Sequence, residues 1–260
     1  RRQRQMCIRD SSLYDGKLGR PSEESMRKFD LLIVDIQDVG LRFYTYYASM
    51  VRLMDACAEY NRKMLILDRP NPNGHYVDGP ILDMKYKSSV GWLPIPIVHG
   101  MTLGELALMV NGERWLPASR ICDITVIKCK NYTHQTMYEL PIPPSPNLPN
   151  MKAVYLYPST CYFEATPVSL GRGTQLPFQI YGHPNMLGYD YTFTPQSIPG
   201  AKNPPQLNRI CHGVNLSELS NEEIWKKGVD LSYLIDAYRN LNMDDYFFRP
   251  FFELLTGRDY

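Results

Sequence analysis

Residues 31–35 read LLIVD and residues 64–68 read MLILD, and the interval between them decides the fold. Each is a short apolar run ending in an acid, the pattern of a strand buried on both faces of a parallel sheet. Between them, Tyr47, Met50, Val51, Met54, Cys57 and Ala58 recur at helical spacing within residues 45–63. Strand, helix and strand make a β-α-β unit, and its two parallel strands finish at the same edge of the sheet. Asp35 and Asp68 are expected together at that edge.

The pattern extends outward in both directions. PIPIVH, residues 94–99, reads as another short strand. Thr102 and Glu105 then form a capping box, followed by Leu103, Leu106, Ala107 and Val110 on one helical face. ITVIK supplies a further strand, so His99 is expected at the sheet edge beside the two aspartates, where ligands of open α/β sheets bind. LPIPPSPNLPN, residues 140–150, is too rich in proline for a helix or an inner strand and reads as a connection between lobes. Beyond it, AVYLYP and PFQIYG read as strands, the proline cluster 195–205 as a surface loop, and Ser220 with Glu223 as the cap of a helix running to about Leu241. The fold class is α/β: a Rossmann-like parallel-sheet lobe over residues 12–140 and a smaller α/β lobe over 141–260, with a cleft between them.

Composition narrows the function. With 260 residues, 44% of them hydrophobic, the chain can bury a substantial core. Its formal charge of +1 includes four arginines and one aspartate in the first ten residues, RRQRQMCIRD, so the remainder is near −2. That leaves no basic surface for nucleic acid. The opening segment has neither the apolar stretch of a signal peptide nor any period, and it resembles a translated sequencing adapter. Residues 1–11 are therefore read as non-native. Six cysteines show no zinc or redox spacing, and no run approaches the ~20 apolar residues of a membrane span. Neither a metal nor a cofactor is expected.

Several loops are rich in groups that can do chemistry. DIQDVGLRFYTY, residues 35–46, holds Asp35, Asp38, Arg42 and Tyr44. DRPNPNG, residues 68–74, holds Asp68, Arg69, Asn71 and Asn73. SPN, residues 145–147, adds Asn147, while YFEATPVSLGRGT, residues 162–174, adds Glu164, Arg172 and Thr174. Each loop alone has an ordinary structural explanation in side-chain capping and turn formation. Glu164 and Arg172 could simply pair with each other. An arginine fork matches a carboxylate in two-point contact, and its flanking glycines would let a ligand approach the backbone, so an anionic, hydroxyl-rich ligand such as a sugar acid fits. A nucleotide fits less well, because no GxGxxG follows a strand.

Taken in order, DIQDVGLRFYTY, DRPNPNG, DGPILD, PIPIVHGMTLGELA, PPSPNLP, YPSTCYFEATPVSLGRGT and PF resemble the NamZ-type exo-β-N-acetylmuramidases over roughly residues 27–260. The resemblance implies a bacterial glycoside hydrolase that removes N-acetylmuramic acid from the non-reducing ends of peptidoglycan fragments during cell-wall recycling, in the periplasm or after secretion. It implies that Arg172, Arg42 or Arg69 clamps the lactyl carboxylate. Tyr44, Asp68, Asn71, Asn73, His99, Asn147 and Thr174 would then lie around the sugar. Glu164, ahead of Asp35 or Asp38, would be the second catalytic carboxylate, or the substrate's own acetamido oxygen would attack with a protein acid only orienting it. The family's Gly-Pro-Glu-His-Gly motif, whose glutamate is the leading candidate for the acid, does not precede SLYDG at residues 12–16. The chain is accordingly read as an internal fragment, for which non-catalytic saccharide binding is the alternative.

Overall fold

The structure, a computed structural model, describes residues 19–243 and 246–259. The segment 1–11 and the SLYDG stretch lie outside the described residues. A short helix α1 (Glu23–Met26) precedes three parallel strands, β1 (Leu31–Val34), β2 (Lys63–Leu67) and β3 (Ile124–Ile127), which form a sheet in that order. Leu31 stands opposite Lys63, and Met64 opposite Ile124. Helix α2 (Tyr46–Glu59) makes the crossover from β1 to β2, so the β-α-β unit is present as expected. Helix α3 (Leu103–Gly112) opens with the Thr102/Glu105 capping box, both of its bonds being made.

The second lobe contains α4 (Met151–Thr160) and an antiparallel sheet of β4 (Ile180–His183), β5 (Tyr191–Phe193) and β6 (Cys211–Asn215), in the order β4-β6-β5. Helices α5 (Asn221–Lys227), α6 (Ser232–Leu241) and α7 (Phe251–Thr256) complete it. Among the described residues, no helix is long and apolar enough to cross a membrane.

Four elements differ from the sequence reading, each for a physical reason. Among the described residues β1 is an edge strand, with Leu31 and Ile33 about half exposed, not buried on both faces. PIPIVH joins no sheet. Its prolines at 94 and 96 lack the N–H that a ladder requires, and only isolated bridges form at Val98, to Leu41 and Asp78. AVYLYP lies in helix α4, not a strand. Asn150 caps that helix by accepting the Ala153 N–H, and residues 153–160 are all buried, so no polar face marks the helical period. The helix expected from Ser220 breaks at Gly228, whose φ is 60°. A side chain there would meet Asp78 Oδ2 at 2.5 Å, and that same oxygen accepts the Val229 N–H.

The buried apolar residues form two clusters. One lies around the parallel sheet, α2 and α3. The other joins Val39, Leu41, Phe43 and Tyr44 to residues of α4, β4 and α7. The chain therefore passes from the first core into the second directly after β1, through a segment that carries Arg42.

Arg42 is fully buried. Its Nη1 donates to the carbonyls of Pro80 (2.8 Å) and Ile95 (3.1 Å), and its Nη2 to those of Leu255 (3.0 Å) and Thr256 (2.7 Å). The last two carbonyls end α7, where the helix dipole favours a cation. Gly257, at φ 73°, closes α7, and a side chain on it would lie 2.7 Å from Arg42 Nη2.

Replacing Arg42 by methionine leaves buried carbonyls without donors, at about 1–3 kcal/mol each. We expect Arg42→Met to lower unfolding stability by about 3 kcal/mol or more in urea titrations. A loss below about 1 kcal/mol contradicts the role assigned to this arginine.

Candidate active site

The loops that follow β1 and β2 interlock. Gly40 (φ 77°) has no room for a side chain, because the Asn71 amide would lie 2.3 Å from its Cβ. Asn71 Nδ2 donates to the Met101 carbonyl at 2.9 Å, and its Oδ1 accepts the Asn73 N–H at 2.8 Å. Asn73 Nδ2 in turn donates to the Val39 carbonyl at 2.9 Å. Both asparagines are buried. Asp68 accepts Thr102 Oγ1–H at 2.6 Å and the Gly104 N–H at 2.9 Å, an anion at the N-terminus of α3. These side chains hold the sheet edge together.

His99 is also interior, 3% exposed. Its Nδ1 accepts the Met101 N–H at 3.2 Å, which places the imidazole proton on Nε2. Burial pushes its pKa down to about 4, so it is neutral at physiological pH. Asp38 is the opposite case. It accepts the Gly40 N–H at 2.8 Å through Oδ1, while Oδ2 has no partner among the described residues. Burial pushes its pKa up to about 7, against the opposing pull of backbone N–H groups.

The structure therefore divides the candidates. Arg42, Asp38, Asp68, Asn71, Asn73 and His99 are built into the scaffold and do not line the two cavities beside them. Thr174 belongs to a turn, donating to the Gly171 carbonyl at 2.7 Å and accepting the Leu176 N–H at 3.0 Å. Asp35, Arg69, Tyr44, Asn147, Glu164 and Arg172 reach the cavities.

The first cavity, of about 310 Å³, is lined by residues from both lobes, including Tyr44, Tyr46, Asn147, Tyr157, Glu164, Arg172 and Phe178. Glu164 Oε1 accepts Arg172 Nε–H at 3.1 Å and a second N–H from Nη2. The guanidinium lies over the Phe178 ring, 5.0 Å from its centre, a contact that adds cation–π attraction. Glu164 and Arg172 thus pair, as the structural reading of that loop allowed, yet both keep part of the side chain exposed to the cavity. The glycines around Arg172 serve packing and not ligand approach. Gly171 and Gly173 both have φ 82°, and a Cβ would lie 2.4 Å from the Leu176 and Gln196 carbonyl oxygens respectively.

The second cavity, of about 550 Å³, lies at the carboxyl end of β1 and β2. Arg69 Nε donates to Asp35 Oδ1 there at 2.7 Å. The two cavities share Tyr46, and Tyr44 ties the proline strap to their common wall by donating its OH to the Pro144 carbonyl at 2.9 Å.

Sequence reasoning did not single out Tyr46, Tyr157 or Phe178. Tyr46 stands in the quoted RFYTY stretch, but which of its aromatics turn outward is decided by packing. Phe178 adopts φ 61°, strained for a side-chain-bearing residue. Nothing in Pro177-Phe178 announces that. Among the described residues, no group of three His, Cys, Asp or Glu could hold a metal ion.

Comparison with known proteins follows this geometry. Residues 2–152 match the family described as exo-beta-N-acetylmuramidase NamZ, N-terminal, and residues 155–260 match its C-terminal counterpart. The chain is 38% identical over 253 residues to the peptidoglycan beta-N-acetylmuramidase NamZ of Bacillus subtilis (strain 168); the match covers 91% of the chain and 60% of that relative, so the chain spans three fifths of its length. A crystal structure of a DUF1343 family protein from Bacteroides fragilis NCTC 9343 superposes with a TM-score of 0.92 at 83% identity, covering 95% of this chain and 71% of that one. A second DUF1343 protein from that organism gives 0.72 at 28% identity, covering 95% and 70%.

The raised pKa of Asp38 sets a sign for stability. Between its ordinary value of 3.8 and about 7, the folded chain holds a proton that the unfolded chain releases, so this group's contribution falls as pH rises through that window. Asp38→Asn keeps an acceptor for the Gly40 N–H and removes the titration. Its melting temperature relative to wild type should therefore be more favourable at pH 8 than at pH 5, by at least about 1 kcal/mol, or a few degrees. An equal offset at both pH values contradicts the assignment.

Proposed function

The chain belongs to the NamZ exo-β-N-acetylmuramidase family, and from that premise we propose that it provides the saccharide-binding cleft of a glycoside hydrolase that releases terminal N-acetylmuramic acid from peptidoglycan fragments outside the cytoplasm. The observation that carries this reading is the Glu164–Arg172 pair, held in a cavity lined by both lobes.

The cavity, about 310 Å³, is at the lower end of the range for ligand pockets, ~300–1,000 Å³, and suits one monosaccharide. Its aromatic walls, Tyr44, Tyr46 and Tyr157, suit the apolar face of a sugar ring, with Asn147 available to its polar substituents. Glu164 engages Arg172 along one edge, through Nε and Nη2. The remaining N–H groups point away from that edge and can receive the lactyl carboxylate in charge-assisted bonds. The Phe178 ring beneath the guanidinium fixes its plane before the ligand arrives, which reduces the ordering cost of binding.

Glycoside hydrolysis commonly uses two carboxyl groups, one donating a proton to the leaving oxygen and one facing the positive charge that develops on the anomeric carbon. Glu164 takes the second role in this reading. Arg172 orients it, and no described residue bonds its Oε2. Asp38 is set aside because it is buried in the scaffold, and Asp35 because it lies in the neighbouring cavity, bonded to Arg69.

Arg172→Ala should weaken binding of N-acetylmuramic acid by about 10- to 100-fold, the value of a charge-assisted hydrogen bond of ~1.5–3 kcal/mol. Binding of N-acetylglucosamine, which lacks the lactyl carboxylate, should change far less. Calorimetric titration of both sugars measures this, and unchanged discrimination between them rejects the clamp.

A further inference from the structure

A third cavity, of about 520 Å³, shares no lining residue with the two cavities above. Its walls come from α2, the loop 84–94 and the turn after α3, and they are mostly apolar. Trp92 and Trp115, two of the chain's three tryptophans, both line it. The loop is tied to α2, because the Trp92 N–H donates to Tyr47 OH at 2.9 Å. The cavity is therefore formed before any ligand arrives.

Its charges fall into two sets. Asp55, an acid of the lining, has both oxygens engaged: Oδ1 accepts an N–H of Arg120 at 2.6 Å, and Oδ2 lies 3.3 Å from Arg20 Nη1. Arg20 also pairs with Glu59, so these two arginines and two carboxylates balance. Arg52 and Lys87 are not balanced in this way. Arg52 Cζ lies 4.5 Å and Lys87 Nζ 4.3 Å from the centre of the same Trp92 ring. Neither side chain is ion-paired with a described acid, and Arg52 Nε is buried with no hydrogen-bond partner among the described residues. A buried donor without an acceptor is costly, and two cations over one indole repel each other. Cation–π attraction offsets only part of this. An anion bound beside them answers both costs.

The walls narrow the choice of anion. An inorganic anion leaves the tryptophan surface unused, and a neutral apolar molecule leaves the cations unsatisfied. We propose that this cavity binds a small amphiphilic carboxylate, an aromatic or alkyl body carrying one anionic group, at a site separate from the saccharide cleft. The carboxylate takes the planar fork of Arg52 in charge-assisted bonds, with the Lys87 ammonium beside it. The body lies among Trp115, Met84 and Pro117. This assignment does not depend on the reading of the first cavity.

The test titrates the chain by calorimetry with 4-phenylbutanoate and with its neutral counterpart, 4-phenylbutanamide. The acid should bind with a Kd below about 1 mM and at least about tenfold more tightly than the amide. Arg52→Gln and Lys87→Gln should each weaken the acid by about fivefold or more and leave the amide within about twofold. Lys87 is exposed, so its replacement keeps the test valid if the Arg52 variant does not fold. Arg172→Ala, in the saccharide cleft, should leave acid binding within about twofold. Equal affinity for acid and amide, no binding of the acid, or binding lost in Arg172→Ala but kept in Lys87→Gln overturns the site.

Discussion

The guanidinium of Arg42 is the constraint on which the rest of the structure depends. A buried cation without a carboxylate partner is costly to desolvate, and here carbonyl oxygens from three separate segments offset that cost. Two of those carbonyls belong to α7, more than 200 residues away in sequence. The chain leaving β1 is thereby held against the end of the second lobe. Leu41 and Phe43 on either side of Arg42 sit in the second core, so polar and apolar contributions act at the same place.

That fixed segment positions the chemistry. Tyr44 and Tyr46 lie two and four residues beyond Arg42; Tyr46 lines both cavities and Tyr44 the first. Facing them, the 161–178 region brings Glu164, Arg172 and Phe178 to the first cavity. The positive φ of Phe178 is a local strain that persists because its surroundings hold it: its N–H donates to the Leu170 carbonyl at 2.7 Å, and its own carbonyl accepts Thr160 Oγ1–H at 3.2 Å. Both cavities contain an arginine paired with a carboxylate. They differ in that Arg172 is stacked on an aromatic ring and Arg69 is more open to water.

The sequence made the first β-α-β unit and the two capping boxes legible because local periodicity and end chemistry agree there. It misled where burial is complete. Helix α4 shows no polar face, so its apolar run resembles a strand, and the prolines of PIPIVH outweighed the strand-like pattern. Among the candidate side chains, Glu164 and Arg172 were legible as a pair, because an acid and a base eight residues apart in one loop can bond each other, while the glycines beside Arg172 answer to packing that the sequence does not display. Arg42 and His99 were read as substrate contacts, and the structure instead buries both among backbone partners, for a related reason. A polar residue at a strand end can face a cleft or satisfy backbone groups, and only the count of available carbonyl and N–H partners separates the two. Those partners come from segments distant in sequence.

The central claim is that the cavity holding Glu164 and Arg172 is built for a sugar acid. A crystal structure of the chain soaked with N-acetylmuramic acid tests it most directly. The account predicts the ring against Tyr44 and Tyr46, its carboxylate on the terminal N–H groups of Arg172, and Asn147 on a polar substituent. A sugar found elsewhere on the surface, or seated in the cavity with its carboxylate turned away from Arg172 into solvent, would contradict it.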